Sequence, residues 1–189
     1  MVVRCGWSLS GTEMIEYHDK EWGVPLHDDN RLFETLCLDG AQAGLSWSTI
    51  LKRREGYRKA FDGFDILKIS KYRESKVKRL LQDPRIIRNQ AKIRSTINNA
   101  KRALEVKKEF GSFDRYFWGF IDHKPITHRH KLMSQLPSTS SLSDKITIDL
   151  KKRGFTFVGS TICYAFMQSV GMVNDHTTNC FRYKQIESL

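Results

Sequence analysis

The stretch "RGFTFVGSTICYAFMQSVG", residues 153–171, reads as the end of one helix, a tight turn and the start of another. Gly154 can end the preceding element. Gly159 stands just before "STICYAFMQ" and lets the backbone approach a partner closely, while the free N–H groups of the new helix point outward. Those N–H groups and the helix dipole suit one phosphate oxygen, a contact that fixes position without reading base sequence. "FTFV" (155–158) alternates like a strand before the apolar run turns helical. Such a turn commonly exists only to connect two helices, so its meaning depends on what surrounds it.

Outward from the turn the chain continues as helix. "LPSTSSLSDKITIDLKKRG" (136–154) is a flexible Ser and Thr turn followed by a capped helix that ends before Gly154. "DDNRLFETLCL" (28–38) carries an apolar stripe of Leu32, Phe33, Leu36 and Cys37 behind a cap at Asp29. "SWSTILKRREGYRKAF" (46–61) starts at Ser46 and spaces Trp47, Ile50, Leu51 and Phe61 for one side. "SKVKRLLQD" (75–83) stops near Pro84, and "IIRNQAKIRSTINNAKRAL" (86–104) turns Ile86, Ile93, Ile97, Ala100 and Leu104 inward. "FDRYFWGFI" (113–121) is an aromatic helix on the core, followed by the polar "DHKPITHRHK" (122–131). With no repeat and no convincing run of strands, the economical fold class is all-α.

Length allows one substantial core and makes two large domains uncomfortable, so 1–189 is read as a single domain. No segment approaches eighteen apolar residues and the first residues lack a secretory pattern, so a soluble, cytoplasmic protein off the membrane is expected. The net charge of +11 is uneven: residues 51–108 carry +13, whereas residues 1–50 carry −5. A basic middle third could draw a polyanion onto one face, or could be a row of solvated helix surfaces. The basic helices lack the sustained apolar face of interfacial membrane binders.

Of the four cysteines, Cys37 and Cys163 sit in apolar helical runs as small hydrophobes. Cys5 and Cys180 lie beside Gly and polar neighbours near opposite ends of the chain. With His18 and His176 they make a set of two thiols and two imidazoles that suits tetrahedral zinc, and the spacing of His176 and Cys180 puts both on one face of a helical turn. Uncoupled surface residues remain an alternative, and a Cys5 to Cys180 disulfide is disfavoured in the cytoplasm. Four protein ligands would leave no open position, so such a metal would be structural, pinning one terminal segment on the other. His123, His128 and His130 form a rival cluster without a nearby thiol or a complete carboxylate pattern, and read as exposed loop and helix-end residues.

Taken together, "RCGW" (4–7), "YHDKEWGVP" (17–25), "LFETLCLDGAQAGLSW" (32–47), "ILKRRE" (50–55), "KRGFTFVGSTICYAFMQSVGMVNDH" (152–176) and Cys180 resemble the bacterial 3-methyladenine DNA glycosylase I (Tag) family. The blocks span nearly the full length. The resemblance implies a helix-hairpin-helix DNA glycosylase fold, its hairpin element at about 145–171, with structural zinc held by Cys5, His18, His176 and Cys180 and no organic cofactor. It implies a monomer that acts on alkylated double-stranded DNA and turns a 3-methyladenine base into a pocket of Trp7, Tyr17, Asp39 and Trp47, Asp39 being the catalytic carboxylate. The DNA contacts it implies are Gln42, Gly44, Leu45, Phe157, Gly159 and Ser160, with Leu45 as an apolar wedge. The chemistry fits: rings stack on a flat purine, a cationic methylated base gains further from an aromatic face, and a carboxylate accepts from its amino group or a protonated ring nitrogen.

The resemblance further implies monofunctional hydrolysis of the N-glycosidic bond, without a lysine intermediate or strand cut. Methylation at N3 already makes the purine a better leaving group, so the protein chiefly selects, orients and holds the flipped base. Family members place Glu where this chain has Asp39, whose carboxylate is one methylene shorter and should make a weaker or water-bridged contact. Asp175, beside His176, is expected as a turn residue or a partner of the metal ligands. Trp22 and Trp118 are assigned to packing. Two other readings share these features: a non-catalytic DNA-binding or damage-recognition module, and a zinc-stabilised helical interaction protein whose aromatic residues are all core.

Overall fold

The computed structural model describes residues 2–189, most of them helical. A 3-10 turn at Gly6–Ser10 leads into α1 (Thr12–Lys20), then α2 (Asp29–Gln42), α3 (Trp47–Leu51), α4 (Arg54–Ala60), α5 (Ile66–Ser70), α6 (Glu74–Gln82), α7 (Gln90–Phe110) and α8 (Phe113–Trp118). After a two-residue strand, β1 (Ile126–Thr127), come α9 (Ser141–Lys152), α10 (Ser160–Ser169), β2 (Val173–Asn174) and α11 (Phe181–Glu187). Among the described residues, no helix is long and apolar enough to cross a membrane.

The apolar stripes meet in one core. Leu32, Phe33 and Leu36 of α2, Ile93 and Ala100 of α7, Phe113 and Phe117 of α8, and Phe166 of α10 are all buried, with Phe113 and Phe117 edge to face at 4.8 Å. Ile97 and Leu104 follow the expected face, Leu104 only partly buried. Trp118 is sealed in this core with Nε1–H donating to the Leu26 carbonyl at 3.0 Å, as its assignment to packing anticipates.

Local chemistry moves several boundaries. The cap of α2 is Asp28, not Asp29: its side chain accepts from Arg31 N–H at 2.9 Å, three residues on, the reach an N-cap needs. Asp29 instead accepts from the Asp114 N–H and pairs with Lys107. Ser46 caps as expected, but the segment it starts is two helices, broken at Lys52 and Arg53. Ser140 and Ser143 cap α9 reciprocally. "FTFV" forms no strand: Phe155 and Val158 turn inward, while Phe157 sits at φ 55° and interrupts the extended backbone.

The all-helical expectation needs one amendment. β1 and β2 pair in parallel, Ile126 opposite Val173 and Thr127 opposite Asn174. This short ladder lays the segment after residue 125 alongside the segment that carries Asp175 and His176.

Candidate active site and metal centre

The two ends of the chain meet at a buried Cys and His cluster. Phe181 N–H donates to the Val3 carbonyl at 3.0 Å, setting the start of α11 against the amino-terminal segment. Cys5, His18, His176 and Cys180 are all buried, and their four donor atoms lie within 4.8 Å of one another. Cys180 Sγ is 3.4 Å from His18 Nε2 and 3.6 Å from His176 Nδ1, and Cys5 Sγ is 3.6 Å from His176 Nδ1. Sulfur and nitrogen ligands of a tetrahedral zinc ion are about 3.5 Å apart, from bonds of about 2.3 and 2.0–2.1 Å.

The outward faces of both imidazoles support the same geometry. His18 Nδ1–H donates to Asp19 at 2.8 Å, and Arg4 holds that carboxylate in a fork. His176 Nε2–H donates to the Trp22 carbonyl at 3.1 Å. These acceptors fix the tautomers, leaving an unprotonated nitrogen of each ring aimed at the thiols, the arrangement metal-binding imidazoles use. The two thiols share a proton unequally: the Cys5 thiol pulls Cys180 down, while the same contact and burial push Cys5 up. A cation that replaces that proton would be held by two sulfurs and two nitrogens. All four cysteines are free.

Beside this cluster lies a cavity of about 360 Å³, within the range of small-molecule sites. Trp7, Tyr17, Asp39 and Trp47 all line it, so the four pocket residues expected from the sequence share one opening. Tyr17 and Trp47 meet at 5.3 Å between ring centres, and Trp7 leans on Trp22 at 5.0 Å. Trp22, assigned to packing, is also part of this wall and stands edge-on to His176 at 4.6 Å, while Trp7 does the same to His18 at 5.4 Å. The cluster therefore buttresses two rings of the cavity.

Two polar atoms of this wall are buried without a partner: Asp39 Oδ2 and Trp47 Nε1. Asp39 projects from α2, and burial holds its carboxyl well above the usual aspartate value. Tyr17 is pushed up by burial and then by Asp39, so it stays a neutral phenol and donates to Ser169 Oγ at 2.9 Å. An orphaned acceptor and an orphaned indole N–H are costly in a finished core. In a cavity walled by rings they are what a flat, polar-edged ligand would satisfy.

The residues expected at DNA come from the end of α2 with the loop after it and from the turn into α10. Gln42 ends α2 and lines the cavity mouth, Gly44 turns the chain at φ 77°, and Leu45 is exposed. Gly40 lets the hairpin close on α2, since a Cβ there would come within 3.2 Å of the Phe157 carbonyl. Ser160 Oγ is engaged with Ser143 Oγ at 2.8 Å, so the outward groups at the start of α10 are backbone N–H donors, with no side-chain cap from Gly159. Helix α7 braces both halves: Lys92 Nζ donates to the carbonyls of Ala41 and Ala43 at 2.7 Å each, while Asn99 exchanges two 2.9 Å hydrogen bonds with the Thr156 backbone. That brace holds Phe157 in a left-handed conformation that costs about 1–3 kcal/mol. A regular polar stripe on a long helix gave no hint of these partners.

Asp175 is neither a turn residue nor a partner of the Cys and His ligands. It is buried, and its Oδ2 accepts from Tyr164 O–H and Gln168 Nε2–H at 2.7 Å each, while Oδ1 faces His128 at 2.6 Å. Gln168 lines the cavity; Asp175 does not. His128 and His130 are half-buried against Asp175, not the exposed loop residues expected. The carboxylate that completes their cluster lies 47 residues downstream of His128.

Residues 7–183 match the family model described as methyladenine glycosylase. The chain is 47% identical over 180 residues to DNA-3-methyladenine glycosylase 1 of Escherichia coli K12, covering 95% of this chain and 96% of that protein. It is 44% identical to DNA-3-methyladenine glycosylase of Haemophilus influenzae, covering 95% and 97%. Among solved structures, 3-methyladenine DNA glycosylase I of Staphylococcus aureus, described for its recognition of 3-methyladenine, superposes with a TM-score of 0.93 at 30% identity, covering 95% of this chain and 96% of that one.

Proposed function

Because the chain belongs to the methyladenine glycosylase family, we propose that it hydrolyses the N-glycosidic bond of 3-methyladenine in alkylated duplex DNA, releasing the base and leaving an abasic site. The observation that carries this reading is the pair of unpartnered atoms, Asp39 Oδ2 and Trp47 Nε1, in a ring-walled cavity large enough for a purine. The flipped base lies between the rings of Trp7, Tyr17 and Trp47. Asp39, raised by burial in the free protein, is ionised by the incoming cation; it then accepts from the amino edge of the base and, by its charge, favours the cationic methylated form over neutral adenine.

Methylation supplies the leaving-group activation, so the chain need not provide a strong acid; its residues hold the base while electron density returns to the ring. Asp39 is the sole carboxylate and no lysine stands among the residues lining the cavity, which supports hydrolysis without a covalent amine intermediate. Zinc bound by Cys5, His18, His176 and Cys180 supplies rigidity: it holds the termini together and thereby the Trp7 and Trp22 walls. The segment from α9 through α10 serves as a helix-hairpin-helix element whose outward N–H groups take a phosphate, with Phe157, Gly159 and Ser160 facing the backbone and Gln42, Gly44 and Leu45 entering the space the base vacates. The single domain works as a cytoplasmic monomer. Incubation with methylated duplex DNA and chromatography of released bases tests the reading: free 3-methyladenine is expected, and its absence with protein that remains folded and binds DNA would leave a damage-recognition module instead.

A further inference from the structure

We propose that His128, His130 and Asp175 form a second, separate site for a divalent transition-metal ion of the zinc class. The sequence "HRH" (128–130) follows β1, and in an extended segment residues two apart face the same way. The ladder continues through the His128 N–H, which donates to the Asn174 carbonyl at 3.1 Å, and the Thr178 N–H donates to the His130 carbonyl at 2.8 Å. Both imidazoles are thereby brought to Asp175.

The carboxylate is oriented for this role. Its Oδ2 is taken by Tyr164 and Gln168, leaving Oδ1 toward the rings, 2.6 Å from His128 Nδ1 and 3.6 Å from His130 Nε2. The three donor atoms lie within 4.8 Å of one another. The second separation is too long for a hydrogen bond, and His130 Nε2 is buried without any partner. An ion with oxygen and nitrogen ligands at about 2.0–2.2 Å sets neighbouring donors roughly 3.0–3.5 Å apart. The two separations straddle that value, so a small rotation of the His128 ring opens room for the ion and gives His130 Nε2 the partner it lacks.

The donor set also separates this site from the first one. Two imidazoles and one carboxylate without a thiol leave positions for water, and His128, 35% exposed, gives solvent access. The segment that follows carries Met133, Leu136 and Pro137 to the cavity wall, and Gln168, which donates to Asp175, lines the same cavity. An ion here would tie together two of the segments that line the same opening.

The test uses the purified protein with its own metal retained, dialysed to equilibrium against micromolar Zn²⁺ and counted by elemental analysis. Two ions per chain are expected, falling to one in both His128→Ala and His130→Ala. Adding Co²⁺ in place of the second Zn²⁺ should give weak visible bands without the intense thiolate charge transfer of a cysteine site. Saturation of the parent protein at one ion, or retention of two by either variant, overturns the proposal. Because neither histidine lines the cavity, base release by the variants reports separately on the glycosylase reading.

Discussion

The Cys and His cluster and the aromatic cavity share a wall, yet they treat their polar atoms in opposite ways. In the cluster the outward nitrogen of each imidazole has its acceptor, Asp19 for His18 and the Trp22 carbonyl for His176. In the cavity Asp39 Oδ2 and Trp47 Nε1 have none. A site built to stay closed satisfies everything except its centre; a site built to receive a ligand leaves unmatched the atoms that the ligand will meet. The cluster should thus govern stability and the cavity selectivity, with Trp7 and Trp22 the link between them.

The sharpest break of that comparison is Cys180→Ser, or a chelator that would strip the zinc proposed for the cluster. Losing one ligand of a buried site should cost about 3–5 kcal/mol by analogy with breaking a buried ion pair, which for a chain of this size lowers Tm by on the order of 10 °C. Differential scanning calorimetry checks this, and Trp fluorescence should change in step because Trp7 and Trp22 lean on the ligands. A Tm within 2 °C of the parent, as an order-of-magnitude bound, would mean that the cluster is not the staple.

In the cavity the effects should invert. Asp39→Asn removes the charge facing the cationic base, and losing a charge-assisted hydrogen bond of about 1.5–3 kcal/mol lowers kcat/KM roughly 10- to 100-fold. The same change removes a buried, unpartnered carboxylate, so the free protein should gain about 1 kcal/mol, or 2–4 °C, at pH 8. Asp39→Glu tests reach alone: its carboxylate extends by about 1.5 Å and should raise kcat/KM several-fold. A variant at Asp39 that loses both activity and stability would place the residue in the scaffold.

The pH dependence follows from the same burial. The folded Asp39 carboxyl is raised above its unfolded value, so between those two values the folded chain holds the extra proton. Its contribution to stability is full below the usual aspartate range and declines as pH rises toward the folded value, by up to about 1.4 kcal/mol per pH unit. Asp19 and Asp29 titrate in the opposite sense, held down by Arg4 and by Lys107 and backbone N–H groups, so the informative quantity is the stability difference between the parent and Asp39→Asn across pH. That difference should grow with pH in chemical denaturation, while base binding by the parent strengthens over the same interval.

The contrast between the two sites also explains how far the sequence could be read. Cys5, His18, His176 and Cys180 could be grouped by residue type, because two thiols and two imidazoles suit one ion, and the structure brings their donor atoms together. Ser46 and the turn at Gly154 are legible because capping and chain reversal are local chemistry. The burial of Asp175 and its grip on Tyr164, Gln168 and His128 are not local: the ladder of β1 on β2, two residues a side, brings those groups together. "FTFV" misleads for a related reason, since Asn99, 57 residues from Thr156, fixes its backbone. The break after Leu51 is one the apolar period does not record.

The smallest expected effect concerns the brace between the cavity mouth and the hairpin. Lys92 donates to the carbonyls of Ala41 and Ala43, tethering the loop that carries Gly44 and Leu45, but it does not line the cavity that holds Asp39. Lys92→Met keeps length and removes the donors, so about 0.5–1.5 kcal/mol of loop ordering is lost and KM for methylated duplex rises about threefold to tenfold. Affinity for free 3-methyladenine, read by Trp fluorescence, should stay unchanged. A lysine that instead contacted phosphate would also reduce the slope of log affinity against log salt by about one on removal. Here the ammonium is committed to two carbonyls, so the lines for parent and variant should run parallel, displaced but with one slope; convergence at high salt would assign Lys92 to the DNA and leave the loop held by α2 alone.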